Sequence, residues 1–182
     1  GPRDNAVAVW GPGPTGIRIM LPVFDTTANA WTDEVNVDLA GDIQSDRIKV
    51  RTLDVDGDGL DEFIVSYLDN ADSVRFSLYD VDSLLQPTLM ASFCDRKTVP
   101  NMSYRARYSI ATGDFNGDST EELMLLVLED YSGNHVTTGV HVYDFNGSDP
   151  VPSASGSVNL TVGYNLEEFD LIAAPGDYIA GG

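Results

Sequence analysis

Two nine-residue stretches, 54–62 and 114–122, place oxygen-bearing side chains at positions 1, 3, 5 and 9. These are Asp54, Asp56, Asp58 and Glu62 in the first, and Asp114, Asn116, Asp118 and Glu122 in the second. A loop that curls on itself presents alternate residues inward, and position 7 adds a main-chain carbonyl, from Leu60 and from Thr120. Such a set suits a hard cation, since calcium takes roughly 6–8 oxygens at about 2.3–2.6 Å. Gly57, Gly59 and Gly117 let the backbone curl where a side chain would clash. Carboxylates crowded in this way repel one another, and a cation among them cancels that repulsion better than water does. Magnesium demands a tighter octahedron and holds its own water. Zinc would want His or Cys, which both loops lack. The expected cofactor is Ca2+, at two sites. The alternative for each loop is a solvated acidic turn, because Asp, Asn and Gly are ordinary turn residues. The second loop is the weaker candidate: it has one carboxylate fewer at the ligand positions, and Ser119 replaces the glycine at position 6.

The elements that must position these loops follow a repeat. The step from Asp54 to Asp114 recurs, nearly unchanged, in a second landmark behind each loop. That landmark is Tyr79-Asp80-Val81-Asp82 in the first unit and Tyr143-Asp144-Phe145-Asn146 in the second. Phe24-Asp25 precedes Asp80 by a slightly shorter step, and Asp177 follows Asp114 by a slightly longer one. Two landmarks that keep step along the chain mark an array of supersecondary units. Within a unit the pattern is β: 48–53 alternates apolar and polar, 63–68 is β-branched and aromatic, 74–79 alternates again, and 89–99 is a less regular fourth strand. The second unit gives 108–111, 123–128, 137–143 and 155–162, and the opening segment gives 6–10, 16–24 and 34–39. No stretch of ten or more residues combines helical periodicity with a cap.

The expected fold is therefore all-β, with four-stranded antiparallel blades of a β-propeller. The divisions are 1–46 (strands two to four of a first blade), 47–107 (blade with the first calcium loop), 108–168 (blade with the second) and 169–182 (first strand of a further or shared blade). About three blades' worth of strands are present, whereas propellers run to roughly 4–8. The expectation is a fragment of a larger ring, pairing with other blades of its parent. Asp177 has Ile179 and Gly181 at positions 3 and 5 and makes no third site. The 144–149 segment starts like a metal loop but falls at the hairpin phase, and is read as a turn, as is 80–82.

The two loops, each followed by an apolar strand (Phe63-Ile64-Val65 and Leu123-Met124-Leu125), resemble the FG-GAP/VCBS repeats of integrin-α-type propellers. The pattern of that family is D-x-[DN]-G-D-G-x-x-[DE] followed by an apolar strand. The resemblance covers 47–128 through motif and the rest through spacing. It implies blades as long as the step from Asp54 to Asp114, calcium in the loop between first and second strands, and an extracellular or cell-surface setting. Ser119 departs from the pattern, and Gly11-Pro12-Gly13-Pro14 is the nearest, poor match to the F-G…G-A-P segment.

Composition limits the partners. Apolar residues make up 42% and charged residues 21% of the 182, as in ordinary globular chains. Ten Lys and Arg against 29 Asp and Glu give a formal charge of −19, which repels nucleic acid and anionic membranes. No apolar run approaches the ~20 residues needed to span a bilayer, so no direct membrane insertion is expected. Cys94, the one cysteine, is expected as a small core residue. Calcium can replace disulfides as the cross-link of secreted modules. Sequons at Asn101, Asn146 and Asn159 permit glycosylation. His135, in a turn, and His141, on a strand, are not expected to be catalytic, and no G-x-S-x-G, H-E-x-x-H or Walker-type motif occurs. The expected function is a non-catalytic, calcium-stabilised extracellular module that binds a protein or glycan ligand. Trp10 and Trp31 would either stack on sugar rings or pack between blades. The rival reading is an accessory or catalytic propeller region of a secreted carbohydrate-active or other hydrolase or lyase.

Overall fold

The computed structural model describes residues 9–12, 16–25, 29–40, 48–59, 61–69, 73–81, 87–97, 108–132 and 135–161. Within them the protein is all-β, in three antiparallel sheets of consecutive strands. β1 (Val9–Pro12), β2 (Gly16–Asp25) and β3 (Ala30–Ala40) form a three-stranded sheet. β4 (Lys49–Leu53), β5 (Glu62–Leu68), β6 (Ser73–Val81) and β7 (Pro87–Lys97) form a four-stranded one. β8 (Tyr108–Gly113), β9 (Glu122–Ser132), β10 (His135–Asn146) and β11 (Asp149–Thr161) form the second four-stranded sheet. The sheets fall within 1–46, 47–107 and 108–168. The expected strand at 169–173, together with Asp177, Leu60 and Asn101, lies outside the described residues. So do the side chains of Trp10 and Trp31, whose backbones belong to β1 and β3.

The repeat is visible in the register. Thr52 pairs Phe63 and Leu53 pairs Glu62 across the first loop; Thr112 pairs Leu123 and Gly113 pairs Glu122 across the second. Each acidic loop is thus the hairpin connection between the first two strands of its sheet, closed by the same two residue pairs.

One hydrophobic cluster spans both four-stranded sheets. Ile64 and Leu68 of β5 share a face with Val74, Phe76 and Leu78 of β6, as strand alternation requires. This face meets Tyr108 and Ile110 of β8, Leu123, Leu125 and Val127 of β9, and Tyr143 of β10. Phe93 of β7 joins the two halves, stacked 4.7 Å from Phe76 and tilted 5.7 Å from Tyr143. The first strands touch as well, through the Thr112 hydroxyl donating to the Thr52 carbonyl at 2.8 Å, and the Ser66 hydroxyl of β5 lies 3.2 Å from the Tyr108 hydroxyl of β8.

Two local expectations are corrected. Cys94 is exposed, not in the core. Alternation along β7 turns Phe93 toward the cluster and Cys94 away from it, opposite exposed Arg75. His135 opens β10 instead of sitting in the preceding turn, because β9 and β10 continue their pairing as far as His135 and Ser132. The 144–149 segment is a hairpin as expected. Asp144 belongs to β10, and the reversal is made by Gly147-Ser148, with Gly147 at φ 62°.

Candidate metal centre

Both loops are built on one hydrogen-bond scaffold. The position-1 carboxylate collects main-chain N–H groups from inside its own curl. Asp54 accepts from Gly57 (2.7 Å) and Gly59 (2.9 Å); Asp114 accepts from Gly117 (2.6 Å) and Ser119 (3.0 Å). The position-3 side chain accepts from the N–H at position 5: Asp56 from Asp58 at 3.1 Å, Asn116 from Asp118 at 2.8 Å. The position-9 glutamate, first residue of the next strand, reaches back to the N–H at position 2: Glu62 to Val55 at 3.0 Å, Glu122 to Phe115 at 2.6 Å. The curl requires left-handed backbone at positions 4 and 6, with φ of 75° and 79° at Gly57 and Gly59 and 83° at Gly117. Ser119 takes the same conformation at φ 75°, where a Cβ is strained.

The scaffold gathers the carboxylates. One oxygen from each of Asp54, Asp56 and Asp58 lies within 4.8 Å of the others, and the same holds for Asp114, Asp118 and Glu122. Oxygens bound to one calcium at about 2.4 Å stand at most about 5 Å apart, so each trio fits a single coordination shell. Glu62 is buried and is not one of that trio. Asn116 lies beside the second trio, its amide donating to Asp118 at 3.0 Å. Thr120 donates to Asp118 through both its N–H (2.9 Å) and its hydroxyl (2.6 Å). Those two bonds hold the Asp118 carboxyl below the usual carboxylate range.

The two position-9 glutamates behave in the opposite way. Burial pushes the Glu62 carboxyl up, opposed by the Val55 N–H and reinforced by the charges of Asp56 and Asp54. Burial likewise raises Glu122, against the N–H groups of Phe115 and Asn116, with Asp144 and Asp118 adding repulsion. Glu122 is 1% exposed, and its Oε1 is buried without a hydrogen-bond partner. A buried, unpartnered carboxylate oxygen in an acidic trio is costly unless a cation or a proton meets it. The donor set, all oxygen with no nitrogen or sulfur, fits a hard cation.

Two residues near the loops are not apparent from the sequence. Asp144 follows Tyr143, which pairs Leu123, so it adjoins Glu122; its charge acts on Glu122, and its Oδ1 is buried without a partner. The available signal is Tyr-Asp at the same place in both units, which in the sequence alone reads as turn chemistry. Glu121, at position 8, hydrogen-bonds to the other loop: its Oε2 accepts from the Asp54 N–H at 3.3 Å, and its own N–H donates to the Asp54 carbonyl at 3.2 Å. An acid at position 8 of both loops (Asp61 and Glu121) is the available hint. Burial raises the Glu121 carboxyl, opposed by the Asp54 N–H and reinforced by Asp61, Asp54 and Asp114.

Away from the loops, buried His141 lies 3.1 Å from Glu129 through Nε2, and Gly139 leaves room for that pair, since a Cβ there would fall 2.5 Å from the Glu129 carboxyl carbon. Comparisons with protein-family models, with curated proteins and with solved structures return no match to this chain.

Proposed function

We propose that the two loops are calcium sites and that the chain is a calcium-stabilised, non-catalytic β-propeller module of the FG-GAP/VCBS kind. The observation that carries the metal reading is the second loop. Asp114, Asp118 and Glu122 converge within 4.8 Å, and the buried Oε1 of Glu122 lacks a partner. The same main-chain scaffold in the first loop extends the reading to Asp54, Asp56 and Asp58. In this reading the ligands are the side chains at positions 1, 3, 5 and 9 of each loop with the carbonyls of Leu60 and Thr120. The metal stiffens the hairpin that joins the first two strands.

Support for a propeller comes from repeat geometry. Thr52 and Thr112 occupy the same place in consecutive units and are hydrogen-bonded to each other, while two four-stranded meanders pack face to face. Where neighbouring units are related by rotation, equivalent residues touch only close to the shared axis, and in a propeller the first strand of each blade would lie there. A ring needs further blades, and the other blades of a parent protein would supply them. The ligand is a protein or a glycan held at one face of the ring, in an extracellular or cell-surface setting; the strong negative charge excludes nucleic acid.

Calorimetric titration of metal-stripped protein tests the metal reading. Two calcium ions should bind per chain, with magnesium binding much more weakly. No calcium-dependent heat, or equal affinity for the two ions, would remove the proposal.

A further inference from the structure

Glu121 belongs to the second loop by sequence and to the first by contact. It lies between Thr120 and Glu122, two of the residues proposed to hold the second ion, so closure of that loop fixes its backbone. Its N–H donates to the Asp54 carbonyl at 3.2 Å, and its Oε2 accepts from the Asp54 N–H at 3.3 Å. Both main-chain groups of Asp54 are therefore held by a single residue from 67 positions away. Asp54 in turn organises the first loop, since its carboxylate accepts from Gly57 and Gly59. Thr112 braces the same seam two residues earlier, through its bond to the Thr52 carbonyl. A Cβ on Gly57 would lie 3.9 Å from the Thr120 side chain, so the two curls stand in near contact.

We propose that Glu121 is a positioning residue that couples the two loops, so that calcium in the second loop tightens calcium binding in the first. The inference rests on the calcium reading of both loops. An ion held by Thr120 and Glu122 fixes the peptide between them, and that peptide fixes Asp54. Linkage makes the effect reciprocal: an ion in the first loop tightens the second by the same factor. Two divalent ions in neighbouring loops repel each other, and the Glu121 carboxylate, which sits between the loops on the Asp54 N–H, offsets part of that repulsion. A factor of about five, at the low end of ordinary allosteric coupling, is expected.

The test is calcium titration by calorimetry on wild type, Asp118→Ala and Asp58→Ala, and on the same three proteins with Glu121→Ala added. Asp118→Ala leaves the first loop to be measured alone, and Asp58→Ala leaves the second. The product of the two wild-type association constants should exceed the product of the two isolated ones about fivefold. The same comparison made in the Glu121→Ala background should give a ratio near one, and Glu121→Gln, which keeps an acceptor for the Asp54 N–H, should restore part of the coupling. A wild-type ratio of one overturns the coupling, whether or not Glu121→Ala folds; an undiminished ratio in folded Glu121→Ala overturns the role of Glu121. Two calcium ions bound with no coupling leave the metal reading standing, whereas no calcium bound at either loop removes both.

Discussion

Ser119 shows what a single residue contributes to an acidic loop. It holds φ at 75° where the first loop has Gly59 at 79°, so the second curl adopts a left-handed backbone with a Cβ present. For an L-residue this costs on the order of 1 kcal/mol. Ser119→Gly should therefore raise the stability of the metal-free protein by about 1 kcal/mol, less whatever the extra freedom of glycine in the unfolded chain takes back. Urea denaturation in the presence of EDTA reads this directly, and a loss of more than the ~1 kcal/mol that glycine's freedom can cost would show that the Ser119 side chain makes a contact worth more than the strain. The sequence reveals Ser119 as a departure from the repeat, along with the candidate ligand residues themselves, because alternate oxygens in a short run are a local pattern. Glu121 and Asp144 are not legible there, since their roles are set by Asp54 in the neighbouring loop and by Glu122 on the neighbouring strand.

At the scale of elements, alternation places the strands only where one face is dry. β4 alternates in sequence but not in burial, with neighbouring Arg51 and Thr52 both exposed and Leu53 buried, whereas β5 is buried on both faces along most of its length and reads as an apolar run. The same limit explains Cys94, whose apolar neighbours suggest a core position although Phe93 faces the cluster and Cys94 does not. β11 extends back to Asp149 through Pro150 and Pro152, which an edge strand tolerates because its outer N–H groups need no ladder partner. Leu125 tests whether the two four-stranded sheets fold as one unit. It is fully buried in β9 and belongs to a cluster that includes Ile64, Phe76 and Leu78 of the other sheet. Leu125→Ala should cost roughly 3 kcal/mol and lower a single unfolding transition, seen alike by far-ultraviolet circular dichroism and by calorimetry. Two separated transitions would mean that the sheets unfold independently and that the shared cluster contributes little to their docking.

At the scale of the whole molecule, the −19 charge sets two effects against each other. Self-repulsion destabilises the compact state and is relieved by any salt through screening, with no preference among ions of equal valence. Site binding saturates at low concentration and discriminates between ions. For affinities of about 0.1 mM, in the range of extracellular calcium modules, 1 mM calcium stabilises by about 1.4 kcal/mol per site, or about 3 kcal/mol for two. In a chain of this size that is roughly 6–12 °C in melting temperature. Screening alone would make 1 mM magnesium chloride as effective as 1 mM calcium chloride, because the two have the same ionic strength. The expected result is a rise of that size with calcium, a small one with magnesium, and reversal by EDTA. Equal melting curves in the two salts would assign the entire response to bulk charge, and the carboxylates of both loops would then be surface acids held in place by their own main chain. The repeat and its acidic loops are legible in the sequence because they are periodic in the chain. The seam between β4 and β8, where Thr52 meets Thr112, is not, because contact between equivalent residues depends on how one unit is rotated against the next. That rotation is also what puts Glu121 within reach of Asp54, so two calcium ions bound independently of each other would mean that the units dock without communicating.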